Sequence, residues 1–195
     1  LLPNAFPKVS NWPETPGKKQ LLFAGRFTKL KNLQRLIEAV SKLENRDYQL
    51  FLIGAGPEEK KLRQAVKNLK LENRVIFKKP VFGRELEQLI KESSWLILPS
   101  ISDISPNIVL KAIALNTPVL MTKHSGFYDY LSDHLFFLKY PFNTEELIAK
   151  LDYLLELDPA HYASVKHALT KIDQGYGFEQ MLERFLLLLS LWKFY

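Results

Sequence analysis

In the stretch WLILPSISDISPNIVLKAIALNTPVLM, residues 95–121, a carboxylate (Asp103), an ammonium (Lys111) and the main-chain amides of Asn107 and Ile108 gather where a strand hands over to a helix. The chemistry of such a junction is anion binding. Residues 95–98 form an apolar run too short for a helix and bounded by Pro99 and Ser100, which suits a buried parallel strand. Ser105 is placed to cap a helix with Pro106 in its first turn, and Ile108, Val109, Ala112, Ile113 and Leu115 recur at helical spacing. Asn116 ends that helix, Pro118 prevents its continuation, and a second buried strand follows at 119–121. Strand, loop, helix and strand make one right-handed crossover, and ligands bind such units at the carboxyl edge of the sheet. The amides of Asn107 and Ile108 would face that edge, where a helix amino terminus favours negative charge. On its own, Asp103 reads as an acid favoured by the helix dipole, and Lys111 as a solvated helix residue.

Two further cations, Arg26 and Lys31, follow the first apolar run. A guanidinium can grip phosphate oxygens in pairs and an ammonium adds a point charge, but spacing alone favours two solvated cations in a basic protein. The turn Gly54-Ala55-Gly56-Pro57 is weak evidence for a phosphate cradle, since Pro57 removes an amide; tight strand-to-helix geometry explains it better. His124 reads as a surface loop residue. The chain has no Cys, and its 4 histidines are scattered, so no thiolate or metal site is expected.

The elements that must position these residues alternate. Strands are expected at 21–24, 48–53, 75–77, 95–98, 119–121 and 136–138. Between the first four lie helical patterns: Leu33, Leu36, Ile37, Val40 and Leu43; then Leu62, Ala65, Val66 and Leu69; then Leu86, Leu89 and Ile90. This alternation predicts an α/β fold, a Rossmann-like parallel sheet with helices on both faces, with Gly25, Ser100 and Met121 at one edge. After Pro141 the pattern is helical only. Thr144 can cap a helix that turns Leu147, Ile148, Leu151 and Leu155 inward, and another spans 159–172. Beyond Gly175 and Gly177 a terminal helix, about 178–194, is apolar on most sides and demands a cover.

At 195 residues and 47% hydrophobic content the chain can bury one good core. The net charge of +6 is spread through every segment, which suits a solvated basic surface as well as an anionic ligand or membrane face. No apolar run reaches the roughly 18 residues of a membrane span. Residues 1–19 hold four of the 11 prolines and read as a linker. The chain opens on Leu1, so upstream residues are expected in the natural protein.

PSISDISPNIVLKAIALNTPV resembles the signature of the group 1 glycosyltransferases of GT-B fold, and LLFAGRFTKLKNLQRLIEA and LIGAGPEEKKL extend the likeness over residues 21 to about 155. The resemblance implies that Arg26 and Lys31 hold a donor diphosphate, that Asp103 lies near the donor sugar, and that Asn107, Ile108, Lys111, Ser125 and Gly126 complete the donor site. It further implies base contacts around Lys79, Pro80 and Val81. The pattern departs at three places. Two family glutamates stand at the spacing of Asp103 and Lys111, where the first is shortened and the second reversed in charge; a family glycine is Lys79; and Ser125 replaces one of two glycines. An ammonium cannot accept from ribose hydroxyls as a carboxylate does.

The function this implies is that of the donor-binding half of a retaining glycosyltransferase. It would move a sugar from a nucleotide diphosphate sugar to a glycan or lipid acceptor held by another domain, with no cofactor or metal. The domains would be a linker (1–19), the donor-binding domain (20–172) and a terminal helix crossing to an amino-terminal domain (173–195). A cytoplasmic location is expected, with peripheral contact at a membrane as a second cover for the terminal helix, and no nucleic-acid partner. The alternative is a non-catalytic relative kept for partner binding, which the changes at Asp103 and Lys111 would suit.

Overall fold

The computed structural model describes residues 18–103, 107–124, 136–139 and 141–175. Six strands, β1 (Lys18–Ala24), β2 (Gln49–Ile53), β3 (Val75–Lys78), β4 (Ser93–Leu98), β5 (Val119–Thr122) and β6 (Phe136–Leu138), form one sheet. Its order is β3-β2-β1-β4-β5-β6, and every pairing is parallel. Among the described residues six α-helices accompany it: α1 (Leu33–Lys42), α2 (Glu59–Asn68), α3 (Gly83–Glu92), α4 (Asn107–Ala114), α5 (Thr144–Leu155) and α6 (Pro159–Gly175). The chain runs outward from β1 through β2 to β3, then returns to the other side of β1 for β4 to β6. The reversal lies between β1 and β4, where open α/β sheets place their ligands.

Two cores follow from the two-residue period of the strands. Leu21, Phe23, Leu50, Leu52, Ile97 and Leu120 face α1, α2 and α5 on one side. Leu22, Leu96, Leu98, Val119 and Met121 face α3, α4 and Leu169 of α6 on the other. Strand β4 is buried at every position, as a central strand covered on both faces must be. Its Trp95 stacks edge-on against Phe136 of β6 and Tyr162 of α6, with ring centroids 5.3 and 6.0 Å apart.

The sheet and the common edge for Gly25, Ser100 and Met121 are as expected from the sequence. Some local assignments differ. Strand β1 begins at Lys18, inside the segment read as linker, because Lys18 pairs with Ser93 of β4. Leu69 is not inward; it follows the last turn of α2 and is 39% exposed. The cap of α5 is Asn143 instead of Thr144: its side chain accepts from Glu146 N while Glu146 accepts from Asn143 N, so one reciprocal box satisfies both amides. Helix α6 runs past 172 to Gly175. Asn116, with φ of 54°, does close α4 in the left-handed conformation. The expected cap Ser105 and the expected terminal helix lie outside the described residues. Among the described residues no helix is long and apolar enough to cross a membrane.

Candidate functional site

The loop after β1 carries the first candidates, and Phe27 anchors it. Its ring is fully buried against Phe23 and Phe77, at 6.3 and 6.1 Å between centroids, while its main chain is held by the loop after β2. Phe27 N donates to Ala55 O at 2.9 Å, and Glu58 N donates to Phe27 O at 3.1 Å. Gly54 and Gly56 permit this contact. A methyl group on Gly54 would lie 1.9 Å from Gly25 O, and one on Gly56 would lie 2.3 Å from Phe27 O. The Gly-x-Gly turn therefore packs one loop on another, as tight geometry predicts. With Phe27 pinned, Arg26 on one side is exposed to the edge and Lys31 on the other is held in a short 3₁₀ turn, Lys29–Lys31.

A second tie joins this loop to the one after β4: Ile101 N donates to Leu30 O at 2.8 Å. That bond brings Asp103 to Lys31, and the two side chains form an ion pair that is 21% and 16% exposed. The pair spans the switch point between β1 and β4. Two buried polar atoms close to it in the chain, Asn32 Nδ2 and Ser100 Oγ, have no hydrogen-bond partner.

A cavity of about 510 Å³ opens at the same carboxyl edge, on the face covered by α3 and α4. The ends of β1 and β2 supply Ala24, Gly25, Arg26, Ile53, Gly54 and Ala55; α4 supplies Asn107, Ile108 and Lys111; Pro80, Val81, Phe82 and Leu86 close it. Its volume is that of a small-molecule site, and its wall is mainly apolar with a few polar groups, as in most ligand clefts. Among the described residues the charged ones in that wall are Arg26 and Lys111, both cations. Among the described residues no group of three or more His, Cys, Asp or Glu is placed to hold a metal ion.

The residues expected from the sequence thus fall into two neighbouring groups. Arg26, Asn107, Ile108 and Lys111 line one cavity, and Lys31 and Asp103 pair at the same carboxyl edge of the sheet. Ser125 and Gly126 lie outside the described residues. Pro80 and Val81 line the cavity, while Lys79 does not. His124 is exposed in the turn after β5. Sequence reasoning missed Phe82 and Leu86 as lining residues. Helical spacing places Leu86 in the helix after β3 without showing that it reaches a cavity, and an aromatic before a glycine has no periodic signal.

The fold recurs in solved structures. The carboxyl-terminal domain of the group 1 glycosyl transferase LpcC from Francisella tularensis superposes with a TM-score of 0.72 at 22% identity, covering 84% of this chain and 88% of that one. HepE from Anabaena, solved in complex with UDP and glucose, gives 0.75 at 21% identity, covering 91% and 49%. At such identities the likeness is one of fold. In sequence, a D-inositol 3-phosphate glycosyltransferase of Pseudarthrobacter chlorophenolicus is 33% identical over 117 residues, 57% of this chain and 28% of that protein. An uncharacterized glycosyltransferase of Haemophilus influenzae is 27% identical over 188 residues, 94% of this chain and 50% of that protein. The chain spans at most half the length of these relatives. The sequence model of the glycosyl transferases group 1 matches residues 6–170, most of the 195, with its span covering every element that builds the cavity and the ion pair. The chain belongs to the group 1 glycosyl transferase family.

Proposed function

We propose that the cavity at the carboxyl edge binds a nucleotide diphosphate sugar, and that a whole protein containing this chain transfers the sugar to a glycan or lipid acceptor with retention of configuration. The observation that carries this reading is the wall itself: among the described residues it holds two cations, Arg26 and Lys111, and no carboxylate, around an apolar cleft at the topological switch point. Arg26 takes the diphosphate through paired N–H donors, and the start of α4 adds positive potential. Lys31 joins when phosphate competes with Asp103 for its ammonium. Asp103, freed or shared, then stands beside the donor sugar as an acceptor for hydroxyls. The side chains and the helix supply the charge that stabilises a leaving diphosphate, because preorganised donors cost no reorganisation as charge develops.

Lys111 is the departure from the family pattern that bears most directly on this cavity, whose wall it lines. An ammonium in the wall cannot accept from a ribose, so donor binding is expected to be weak. Calorimetric titration of the 195-residue chain with uridine, guanosine and adenosine diphosphates tests the reading. Arg26→Ala should lower affinity about tenfold or more, the loss of a charge-assisted pair of bonds worth roughly 1.5–3 kcal/mol. Lys111→Glu should raise it by restoring an acceptor. The same charge reversal favours a second reading, a fold kept for partner binding, and silence from all three nucleotides with both parent and Lys111→Glu at millimolar concentration would select it.

A further inference from the structure

Helix α4 is an apolar element with one charge in it. Of its 8 residues, Val109, Leu110, Ala112, Ile113 and Ala114 are buried against the sheet, α3 and α6, and Lys111 is the charged exception. A helix covered to that extent gains no solubility from a cation. Lys111 is itself half-buried, in the mainly apolar wall of the cavity. An ammonium so placed is stabilised by an opposite charge, and among the described residues no carboxylate makes an ion pair with it. Lys31, half-buried at the same carboxyl edge, shows the contrast, because Asp103 pairs with it.

The helix dipole is the usual account of a lysine in a last turn. It does not serve here. Side chains of a helix lean toward its amino terminus, so Lys111 reaches back over the turn that begins at Asn107, toward the carboxyl edge and away from the last carbonyls. Asn107, four positions earlier and so on the same face, lines the same cavity. Arg26, the other cation of the wall, follows the end of β1 in the sheet, whereas Lys111 projects from the helix layer. A diphosphate gripped by Arg26 therefore leaves Lys111 to be matched by another part of the ligand. A ligand without a second charge leaves that ammonium unmatched, and a site built in this way discriminates against it.

We infer that the cavity takes a ligand with two separate anionic groups, a diphosphate on Arg26 and a further phosphate or carboxylate on Lys111. The inference rests on the donor-binding reading and adds to it the acidic group that the donor carries, on its sugar or on its ribose. Calorimetric titration of the full chain at fixed ionic strength with two ligand pairs tests it. One pair is uridine diphosphate glucuronate against uridine diphosphate glucose, and the other is 3′-phosphoadenosine 5′-diphosphate against adenosine diphosphate. The parent should prefer the more acidic member of one pair about tenfold, the scale of one charge-assisted bond, and the pair that shows the preference says which end bears the acid. Lys111→Gln should erase that preference, and Lys111→Arg should keep it. Equal affinities within both pairs, a preference that persists in Lys111→Gln, or a Lys111→Gln loss shared by both members of a pair overturns the inference while the donor reading stands. A parent chain that binds none of the four overturns both.

Discussion

At the scale of single residues, the site is held by contacts between loops more than by any one side chain. Lys31 and Asp103 are 72 positions apart and meet because Ile101 is bonded to Leu30. Nothing in their local sequence announces the pair; the family likeness implies a role for each at a donor site, and their mutual contact is a product of β1 lying beside β4. Gly56 is the opposite case, legible as a turn from its neighbours Gly54 and Pro57. Its packing predicts a definite cost. In Gly56→Ala the new methyl would meet Phe27 O at 2.3 Å and Phe27 N at 2.7 Å, main-chain atoms that cannot swing away. We expect a loss on the order of 3 kcal/mol, read as a lower midpoint in urea unfolding. An unchanged midpoint would mean that the loop carrying Arg26 is not pinned as described.

At the scale of elements, strands and helices were legible because both periods are strong. Central strands read as unbroken apolar runs, and α1, α2 and α3 show one apolar face each. The ends were less so. Asn143 and Thr144 are both good caps, and only the position of Glu146, three residues after Asn143, settles which closes the reciprocal box. The docking of α6 on β4 was also hidden, since it depends on Tyr162, whose hydroxyl donates to Ser94 O at 2.8 Å under a nearly complete cover. Burial, and to a lesser degree the nearby Tyr48, pushes the Tyr162 phenol above its ordinary range. The unfolded chain releases that proton near pH 10, whereas the folded protein retains it. The contribution to stability is therefore whole below about pH 10 and declines above it, by up to about 1.4 kcal/mol per pH unit. Tyr162→Phe should lose about 1 kcal/mol at neutral pH with the hydrogen bond, and should show a shallower alkaline decline in denaturant titrations. An identical alkaline slope in the two proteins would show that the phenol titrates freely.

At the scale of the whole molecule, the order β3-β2-β1-β4-β5-β6 sets the carboxyl ends of all six strands along one edge, and the reversal at β1 and β4 opens the cleft there. The alternation of runs foretold the parallel sheet but not the cavity wall, because Phe82, at the N-cap of α3, and Leu86, in its first turn, reach the wall only through the way that helix docks. The central claim is that a nucleoside diphosphate occupies this edge. Amide chemical-shift mapping of the isotopically labelled 195-residue chain during titration with uridine diphosphate tests it most directly. The predicted result is a cluster of shifted amides at Gly25, Arg26, Gly54, Ala55, Asn107, Ile108 and Lys111, the wall of the cavity. Shifts confined to the amino ends of the strands, around Gln49, Val75 and Ser93, or no shifts at millimolar nucleotide, would contradict it.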